Sequence, residues 1–151
     1  MKILIAIDES PISLRAAQEA AKLFPSAEFV VVNVNHRPVP WVSTPGFGFV
    51  YPVTVEQFPV QGLSPDELAE RASEAGLDDA EVIALESLDA ATAICEAAEA
   101  NDVAAVVVGS HNRGLLRRLL NPSLADEVVR GTHRPVVVVS GAVPGEQTGE
   151  A

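Results

Sequence analysis

The sequence predicts a single α/β domain in which a parallel β-sheet lies between two layers of helices. Short apolar runs rich in valine and isoleucine alternate along the chain with longer stretches whose apolar residues recur at helical spacing. Strands that alternate with helices form parallel sheets with right-handed crossovers. The chain has 151 residues, 48% of them hydrophobic and only 5% aromatic, which suits one core of β-branched strands packed on alanine-rich helices.

The first strand, helix and second strand are predicted from the start of the chain. Lys2 to Ile7 forms strand one. Ser10 is a good N-cap, Pro11 fits the first helical position, and Pro25 ends the helix. Glu28 to Val34 forms strand two, whose continuous apolar block indicates burial on both faces.

A long connection, residues 36–64, separates strand two from the next helix. Six of the eleven prolines lie between Pro38 and Pro65, together with Trp41, the only tryptophan of the chain. A connection this long is usually functional or partly disordered, and its aromatic residues argue against full disorder. We therefore expect the segment around Trp41 to contact a protein partner or to complete a dimer.

Three more helices and three more strands alternate after this connection. The last helix is expected to have Asn121 as N-cap and Pro122 at its first position, and Gly131 ends it. The residues from Gly141 onward read as a flexible tail, which leaves 1–140 as the folded domain. The predicted elements are a helix from Ser64 to Ala75, strand three from Glu81 to Glu86, a helix from Asp89 to Ala100, strand four from Val103 to Gly109, the last helix from Pro122 to Arg130, and strand five from Val136 to Ser140.

The charge distribution excludes some partners. The formal net charge of −11 should repel nucleic acids and anionic membranes. Five of the ten lysines and arginines nevertheless lie between Arg113 and Arg134, and they form either a site for a small anion or a solvated basic surface: Arg113, Arg117, Arg118, Arg130 and Arg134. No apolar run approaches the ~20 residues that span a bilayer, and the start of the chain reads as a strand rather than a signal peptide. The chain has one cysteine, Cys95, which excludes an intrachain disulfide. We expect a cytoplasmic protein.

The residues that could carry chemistry lie at the predicted carboxyl ends of the strands, where α/β sheets bind ligands. Asp8, Val34 and Gly109 should converge there, and Ser123 lies in the first turn of the last helix, where amide groups and the helix dipole favour an anion. Gly109 would let the backbone approach a ligand closely. The chain has neither the G-x-G-x-x-G nor the P-loop motif, and no zinc-like spacing of cysteine and histidine. Cys95, in the middle of a helix, is predicted to be a core residue.

These residues resemble the universal stress protein family over nearly the whole chain. ILIAIDES is similar to the opening strand and acidic turn of that family, and Asn33-Val34 corresponds to a His-Val pair at the end of its second strand. VVVGSHN, NPS and RPVVVVS resemble its closing signature, G-x2-G-x9-G-[ST], followed by a Pro-Val-rich strand. The resemblance implies an adenine-nucleotide-alpha-hydrolase-like sheet with strand order 3-2-1-4-5.

The resemblance also implies a ligand and an assembly. Some members bind ATP or AMP, others bind no nucleotide, and many dimerise by pairing their fifth strands. The family's nucleotide contacts correspond here to Ala6, Asp8, Val34, Gly109, Ser123 and Leu124. Asp8 would hold the nucleoside, the Val34 backbone would meet adenine, Gly109 would line the phosphate path, and Ser123 with Leu124 would hold the phosphates. The strand Val136 to Val139 would form the dimer edge.

Two positions of the signature depart from glycine. Asn112 tolerates the left-handed backbone conformation but fills space that a glycine leaves for phosphate. Pro122 has no N–H and removes one donor, worth about tenfold to a hundredfold in affinity. Two functions therefore remain open: a regulatory module with a degenerate site for ATP, ADP or AMP, and a nucleotide-free dimeric interaction protein of the same fold. Slow ATP hydrolysis ranks behind both, because no general base is evident near the site.

Overall fold

The computed structural model of the chain describes residues 1–36, 41–43, 50–52, 62–111 and 123–141. Within these residues no helix is long and apolar enough to cross a membrane. The described elements follow in the order β1 (Lys2–Ala6), α1 (Pro11–Leu23), β2 (Glu28–Asn35), β3 (Trp41–Ser43), β4 (Val50–Pro52), α2 (Pro65–Glu74), β5 (Glu81–Glu86), α3 (Ala90–Ala100), β6 (Ala105–His111), α4 (Leu124–Gly131) and β7 (Val136–Gly141).

The main sheet has five strands in the order β5-β2-β1-β6-β7, and all four pairings are parallel. Since β5, β6 and β7 are the third, fourth and fifth predicted strands, the expected order 3-2-1-4-5 is confirmed. The chain moves outward from β1 to β2 and β5 and then returns to the other side of β1. This reversal places the topological switch point between β1 and β6, where ligand crevices form in such sheets.

Alternate residues of the central strands are buried on opposite faces of the sheet. Ile3 and Ile5 pack with the apolar residues of α1 and α2, and Leu4 and Val106 pack with those of α3 and α4. All four of these side chains are 0% exposed. Burial on both faces explains why the strands read as continuous apolar runs, and it confirms the three-layer architecture.

A small hairpin occupies part of the long connection, where the sequence predicted no regular element. β3 and β4 pair in antiparallel register, with Val42 opposite Tyr51. Strands of three residues are too short to show an alternating pattern, and Pro52 interrupts the pattern further. The rest of the connection, residues 37–40, 44–49 and 53–61, lies outside the described residues.

The beginning of the last helix differs from the prediction. α4 begins at Leu124 and Ser123 is its N-cap, so Asn121 as N-cap and Pro122 as first helical residue were wrong. Ser123 takes this role because it forms a reciprocal capping box with Asp126, which satisfies two amide groups that a helix start otherwise leaves unpaired. Asn121 and Pro122 themselves lie outside the described residues.

The limits of β6 and β7 also differ from the prediction. β6 begins at Ala105 rather than Val103 and continues past Gly109 to His111. Gly141, expected to open the tail, is buried and closes β7 in register with His111. Pairing with neighbouring strands set these limits, and that pairing is not visible in a local pattern. The remaining tail, residues 142–151, lies outside the described residues.

Candidate functional site

A cleft lies at the carboxyl edge of the sheet because β1 ends before its two neighbours. The last β1 pairings are Ala6 with Val32 on one side and Ile5 with Val107 on the other. β2 and β6 both continue for several residues beyond these pairs, and the gap between them opens into a cleft of about 340 Å³. Its lining includes all six residues that the sequence predicted for the site: Ala6, Asp8, Val34, Gly109, Ser123 and Leu124.

Backbone groups of Val34 and Gly109 face this gap from its two sides. In a parallel sheet the N–H and C=O of one residue point toward the same neighbouring strand, and the direction alternates along the chain. The Ile7 amide donates to the Val32 carbonyl at 2.9 Å, so Val34, two residues further, also turns toward β1. The Val106 amide donates outward to Pro135 at 2.9 Å, so Gly109, three residues further, turns inward. Both β2 and β6 therefore direct one donor and one acceptor into the space that β1 leaves.

The turn between β1 and α1 orients the carboxylate of Asp8. Asp8 Oδ1 accepts hydrogen bonds from the Ser10 amide at 2.8 Å and from the Ser10 hydroxyl. The Asp8 amide donates to Ser13 Oγ at 3.1 Å, and the Ser13 hydroxyl donates to the Ser10 carbonyl at 2.9 Å. Asp8 is exposed, so this network presents an oriented carboxylate at the mouth of the cleft.

Three helices point their amino ends at the cleft. Ile12 of α1, Ala90 of α3 and Leu124 of α4 all belong to its lining. The first turn of a helix carries unpaired amide donors and the positive end of the helix dipole. The combined field of the three helix starts favours a ligand that carries a negative group.

The donors of Ser123 are engaged within α4. The Ser123 hydroxyl and amide donate to Asp126 Oδ2 at 3.0 and 3.3 Å, and the Asp126 amide donates to Ser123 Oγ at 3.3 Å. Ser123 lines the cleft and is partly buried, as is Asp126. A phosphate group that binds Ser123 therefore competes with the Asp126 carboxylate for the hydroxyl and the amide of Ser123.

Gly109 is required by packing as well as by any approach to a ligand. A Cβ at this position would lie 2.9 Å from the Ile12 carbonyl oxygen and 3.0 Å from the carbonyl carbon. Real Cβ atoms essentially never approach other atoms within 3.0 Å. The first turn of α1 therefore rests against β6 at a distance that only glycine permits, and this reason for Gly109 was missed in the sequence.

Two asparagines of β2 also escaped prediction as structural residues of the site. Asn33 lines the cleft, its Nδ2 donates to the Ile7 carbonyl at 2.7 Å, and its Oδ1 accepts from the Leu63 amide at 3.3 Å. Asn35 Nδ2 donates to the Leu63 carbonyl at 3.0 Å. Both asparagines are buried, and their hydrogen bonds to Leu63 hold the end of the long connection at the carboxyl edge of the sheet. The alternation Asn-Val-Asn in an otherwise apolar strand was the signal that could have indicated this.

The sequence profile of the universal stress protein family matches residues 1–140, nearly the whole chain. The chain belongs to the universal stress protein family. No protein with a curated description matches it significantly.

Solved universal stress proteins share the fold at low sequence identity. One, crystallised in complex with cAMP, is 20% identical, with a TM-score of 0.65 and coverage of 92% of this chain and 96% of its own. A family member from Burkholderia pseudomallei is 22% identical, with a TM-score of 0.57 and coverage of 91% and 94%. A universal stress protein from Archaeoglobus fulgidus, solved in complex with dAMP, is 18% identical, with a TM-score of 0.53 and coverage of 92% and 97%.

Cys95 of this universal stress protein is a buried residue of α3, as the sequence predicted. Its Sγ lies 3.8 Å from the Val128 carbonyl of α4, and burial raises the pKa of the thiol, with the carboxylates of Asp89 and Glu99 adding to the shift. A thiol held in its protonated form is a poor nucleophile.

The basic segment does not form one patch in this universal stress protein. Arg134 precedes β7, at the amino edge of the sheet opposite the cleft, where it donates to Glu99 Oε2 at 2.9 Å and to Asp102 Oδ1 at 3.0 Å. Arg130, in the last turn of α4, lies toward the same edge. Of the two alternatives that the sequence left open for this segment, a single site for a small anion therefore does not include Arg130 and Arg134. Arg113, Arg117 and Arg118, like the departing residues Asn112 and Pro122, lie outside the described residues.

Proposed function

We propose that this universal stress protein binds an adenine nucleotide in the cleft and acts as a cytoplasmic stress-response regulator rather than as an enzyme. The observation that supports this most directly is the gap beside β1, where backbone groups of Val34 and Gly109 face each other across the carboxylate-bearing turn of Asp8. Two solved proteins of the same fold hold cAMP and dAMP.

The proposed pose places the adenine against β2. The adenine edge carries an amino donor beside a ring-nitrogen acceptor, and the C=O and N–H of Val34 offer the complementary pair. Ile94 and Val108 contribute apolar walls to the same cleft, which suit the faces of a purine ring. Ala6, the last residue of β1, also lines the cleft.

The ribose and the phosphate follow from the same pose. The Asp8 carboxylate would accept a hydrogen bond from a ribose hydroxyl, because the turn already orients it toward the cleft. Gly109 would line the path to the phosphate, and Ser123 with Leu124 would hold it at the amino end of α4. The nucleotide could be ATP, ADP or AMP, and occupancy rather than hydrolysis would be the regulatory signal.

Calorimetry with millimolar ATP, ADP and AMP tests this proposal. We expect heat of binding for the wild-type protein and a weakening of about tenfold to a hundredfold for Asp8→Asn, the usual effect of losing a hydrogen bond to a charged group. Asp79→Asn is the matched control, since it removes the same charge at an exposed position on the opposite edge of the sheet. No binding of any nucleotide by the folded protein would refute the proposal.

Two simpler measurements accompany the calorimetry. The purified protein is denatured and the supernatant is chromatographed, which identifies any nucleotide carried from the cell. Incubation with ATP then tests the non-catalytic part, because sustained phosphate release above the buffer rate would contradict it.

The second candidate function is a nucleotide-free dimer that acts through protein contacts. Among the strands that the structure describes, β7 lies at an edge of the sheet, and Val138 on β7 and Val129 on α4 are 43% and 49% exposed. We propose that two copies pair through Val136 to Val139. Val138→Lys should then give a monomer by light scattering, whereas Leu23→Lys, at an apolar residue that is 59% exposed elsewhere, should leave the dimer intact.

The second candidate function also assigns a role in protein contacts to the long connection. Deletion of residues 42–55 should weaken dimerisation or remove a protein partner if the segment around Trp41 mediates contacts. Unchanged mass and unchanged partners after the deletion would contradict that role.

A further inference from the structure

We infer that Ser13 is a positioning residue for the nucleoside, because its hydroxyl ends β1 at the cleft and holds the turn that carries Asp8. The inference rests on the proposed function and deepens it, since it concerns how the same cleft recognises a ribose. Ser13 lies in the first turn of α1, lines the cleft and is 4% exposed. Burying a hydroxyl costs free energy unless it finds hydrogen-bond partners, so those partners indicate its role.

The partners of the Ser13 hydroxyl are backbone groups of the turn before α1. Its oxygen accepts from the Asp8 amide at 3.1 Å, and its proton is shared between the Ser10 carbonyl at 2.9 Å and the Asp8 carbonyl at 3.1 Å. A serine in a helix commonly bonds back to a carbonyl three or four residues earlier. The bonds to Asp8 reach five residues back, out of the helix and into the turn. One hydroxyl therefore connects both backbone polar groups of Asp8 to α1.

The Asp8 amide is a donor that a longer β1 would pair with β6. The Ile7 amide donates to the Val32 carbonyl of β2 at 2.9 Å, and the direction of the amides alternates along a strand, so the next amide of an extended chain would point toward β6. The pairing between β1 and β6 nevertheless ends at Val107. Ser13 Oγ takes this donor in place of a β6 carbonyl. The hydroxyl thereby satisfies the amide while the chain turns away, and the space beside β6 stays open.

Contact between α1 and β6 fixes the same turn from the other side. A Cβ at Gly109 would lie 2.9 Å from the carbonyl oxygen of Ile12, the residue before Ser13. Asp8 Oδ1 accepts from the Ser10 amide at 2.8 Å, so a turn with a fixed backbone carries a carboxylate with a fixed direction. Recognition of a ribose hydroxyl should therefore depend on Ser13, whereas the proposed contacts to the base, which lie on β2, should not.

The ribose preference of Ser13→Ala is the main test. The substitution leaves the Ser13 amide, and with it the N-cap bond to Ser10 Oγ, in place. Calorimetry compares adenosine with 2′,3′-dideoxyadenosine, which carries the same base without the two ribose hydroxyl groups. Ser13→Ala should weaken adenosine by about threefold to tenfold, the usual worth of one neutral hydrogen bond, and leave dideoxyadenosine nearly unchanged. Equal weakening of both ligands, or a wild-type protein that binds both equally well, would overturn the inference.

Two further variants separate positioning from a general loss of stability. Ala20→Gly is the matched control, since Ala20 is buried on the same helix about two turns beyond Ser13. It should lower the melting temperature and leave the ratio of the two affinities unchanged; a ratio that falls as far as in Ser13→Ala would overturn the inference. Asp8→Asn should weaken adenosine less in the Ser13→Ala background than in the wild type, and full additivity would show that Ser13 does not act through Asp8.

Hydrogen exchange in the nucleotide-free wild-type protein tests the bond itself without a variant. The Asp8 amide should exchange slowly although Asp8 is exposed, because the Ser13 hydroxyl holds it. Fast exchange of this amide would overturn the inference even if Ser13→Ala did not fold.

Failure of this inference and failure of the proposed function are distinguishable. If the folded wild-type protein binds neither adenosine nor any adenine nucleotide, the proposed function fails and this inference fails with it. If the wild-type protein prefers adenosine to dideoxyadenosine and Ser13→Ala keeps that preference, the cleft still binds nucleosides and only the role of Ser13 is wrong.

Discussion

Replacing Gly109 with alanine separates a packing role from a ligand role at the centre of the cleft. The new Cβ would lie 2.9 Å from the Ile12 carbonyl oxygen and 3.0 Å from its carbon, both backbone atoms of the first turn of α1. Backbone cannot rotate away as a side chain does, so α1 has to shift as a unit. We expect Gly109→Ala to destabilise the nucleotide-free protein by about 1–3 kcal/mol, the usual range for overpacking a core.

Thermal unfolding without nucleotide measures this effect. For a chain of this size, about 1 kcal/mol lowers the melting temperature by roughly 2–4 °C. Urea denaturation at constant m-value gives the free energy directly. An unchanged melting temperature would refute the packing explanation and leave the approach to a ligand as the only reason for this glycine.

Gly141 supplies a matched control on the same residue of α1. A Cβ at Gly141 would meet the side-chain atom Ile12 Cδ1 at 2.5 Å, whereas a Cβ at Gly109 would meet Ile12 backbone. Ile12→Val removes Cδ1 and should therefore relieve Gly141→Ala, but it should not relieve Gly109→Ala. Equal rescue of both, measured in double-mutant cycles, would show that the Gly109 contact is not with backbone.

Three further predictions concern other described contacts. Arg134→Ala should lower the melting temperature at neutral pH and lower it less in acid. Arg134 holds the pKa of Glu99 below its ordinary 4.5, so the stabilisation by this ion pair is present above that pH and declines as Glu99 becomes protonated. A loss of melting temperature that is the same from pH 7 to pH 3 would contradict this. Asn33→Ala should lower the free energy of unfolding, measured by urea denaturation, by about 1–3 kcal/mol, because the buried Ile7 carbonyl and Leu63 amide lose their partner. An unchanged free energy of unfolding would show that water replaces the side-chain amide. Cys95 should react with a thiol reagent slowly in the native protein and quickly in urea, and fast native labelling would contradict its burial.

The order of the helices and of the five strands of the main sheet was readable from the sequence because it depends on local periodicity and on cap residues. Ser10 was predicted as an N-cap and holds that position, and Ser64 and Asp89, from which two other helices were predicted to start, are the N-caps of those helices. Ser123 was missed, although the Ser-x-x-Asp spacing of a capping box was present in the sequence, because Asn121-Pro122 offered an equally good local start.

The surroundings of the cleft could be predicted only in part. Resemblance to a family brought six residues to one place, and all six line the cleft. It did not indicate why Gly109 must be glycine, because the atoms that exclude a side chain belong to Ile12, far away in the sequence. The bonds of Asn33 to Ile7 and Leu63 likewise join segments 26 and 30 residues apart.

The amino-acid sequence was enough to predict the three-layer architecture, since alternation of apolar strands with capped helices leaves few other ways to bury both faces of a sheet. Where β1 stops relative to β2 and β6 depends on long-range strand pairing, and that difference in length opens the cleft. Only the tertiary structure could place Arg134 at the edge opposite the cleft, bound to Glu99 and Asp102. Strand ends and charge positions depend on contacts between residues that are far apart in the sequence, and a local sequence pattern does not encode those contacts.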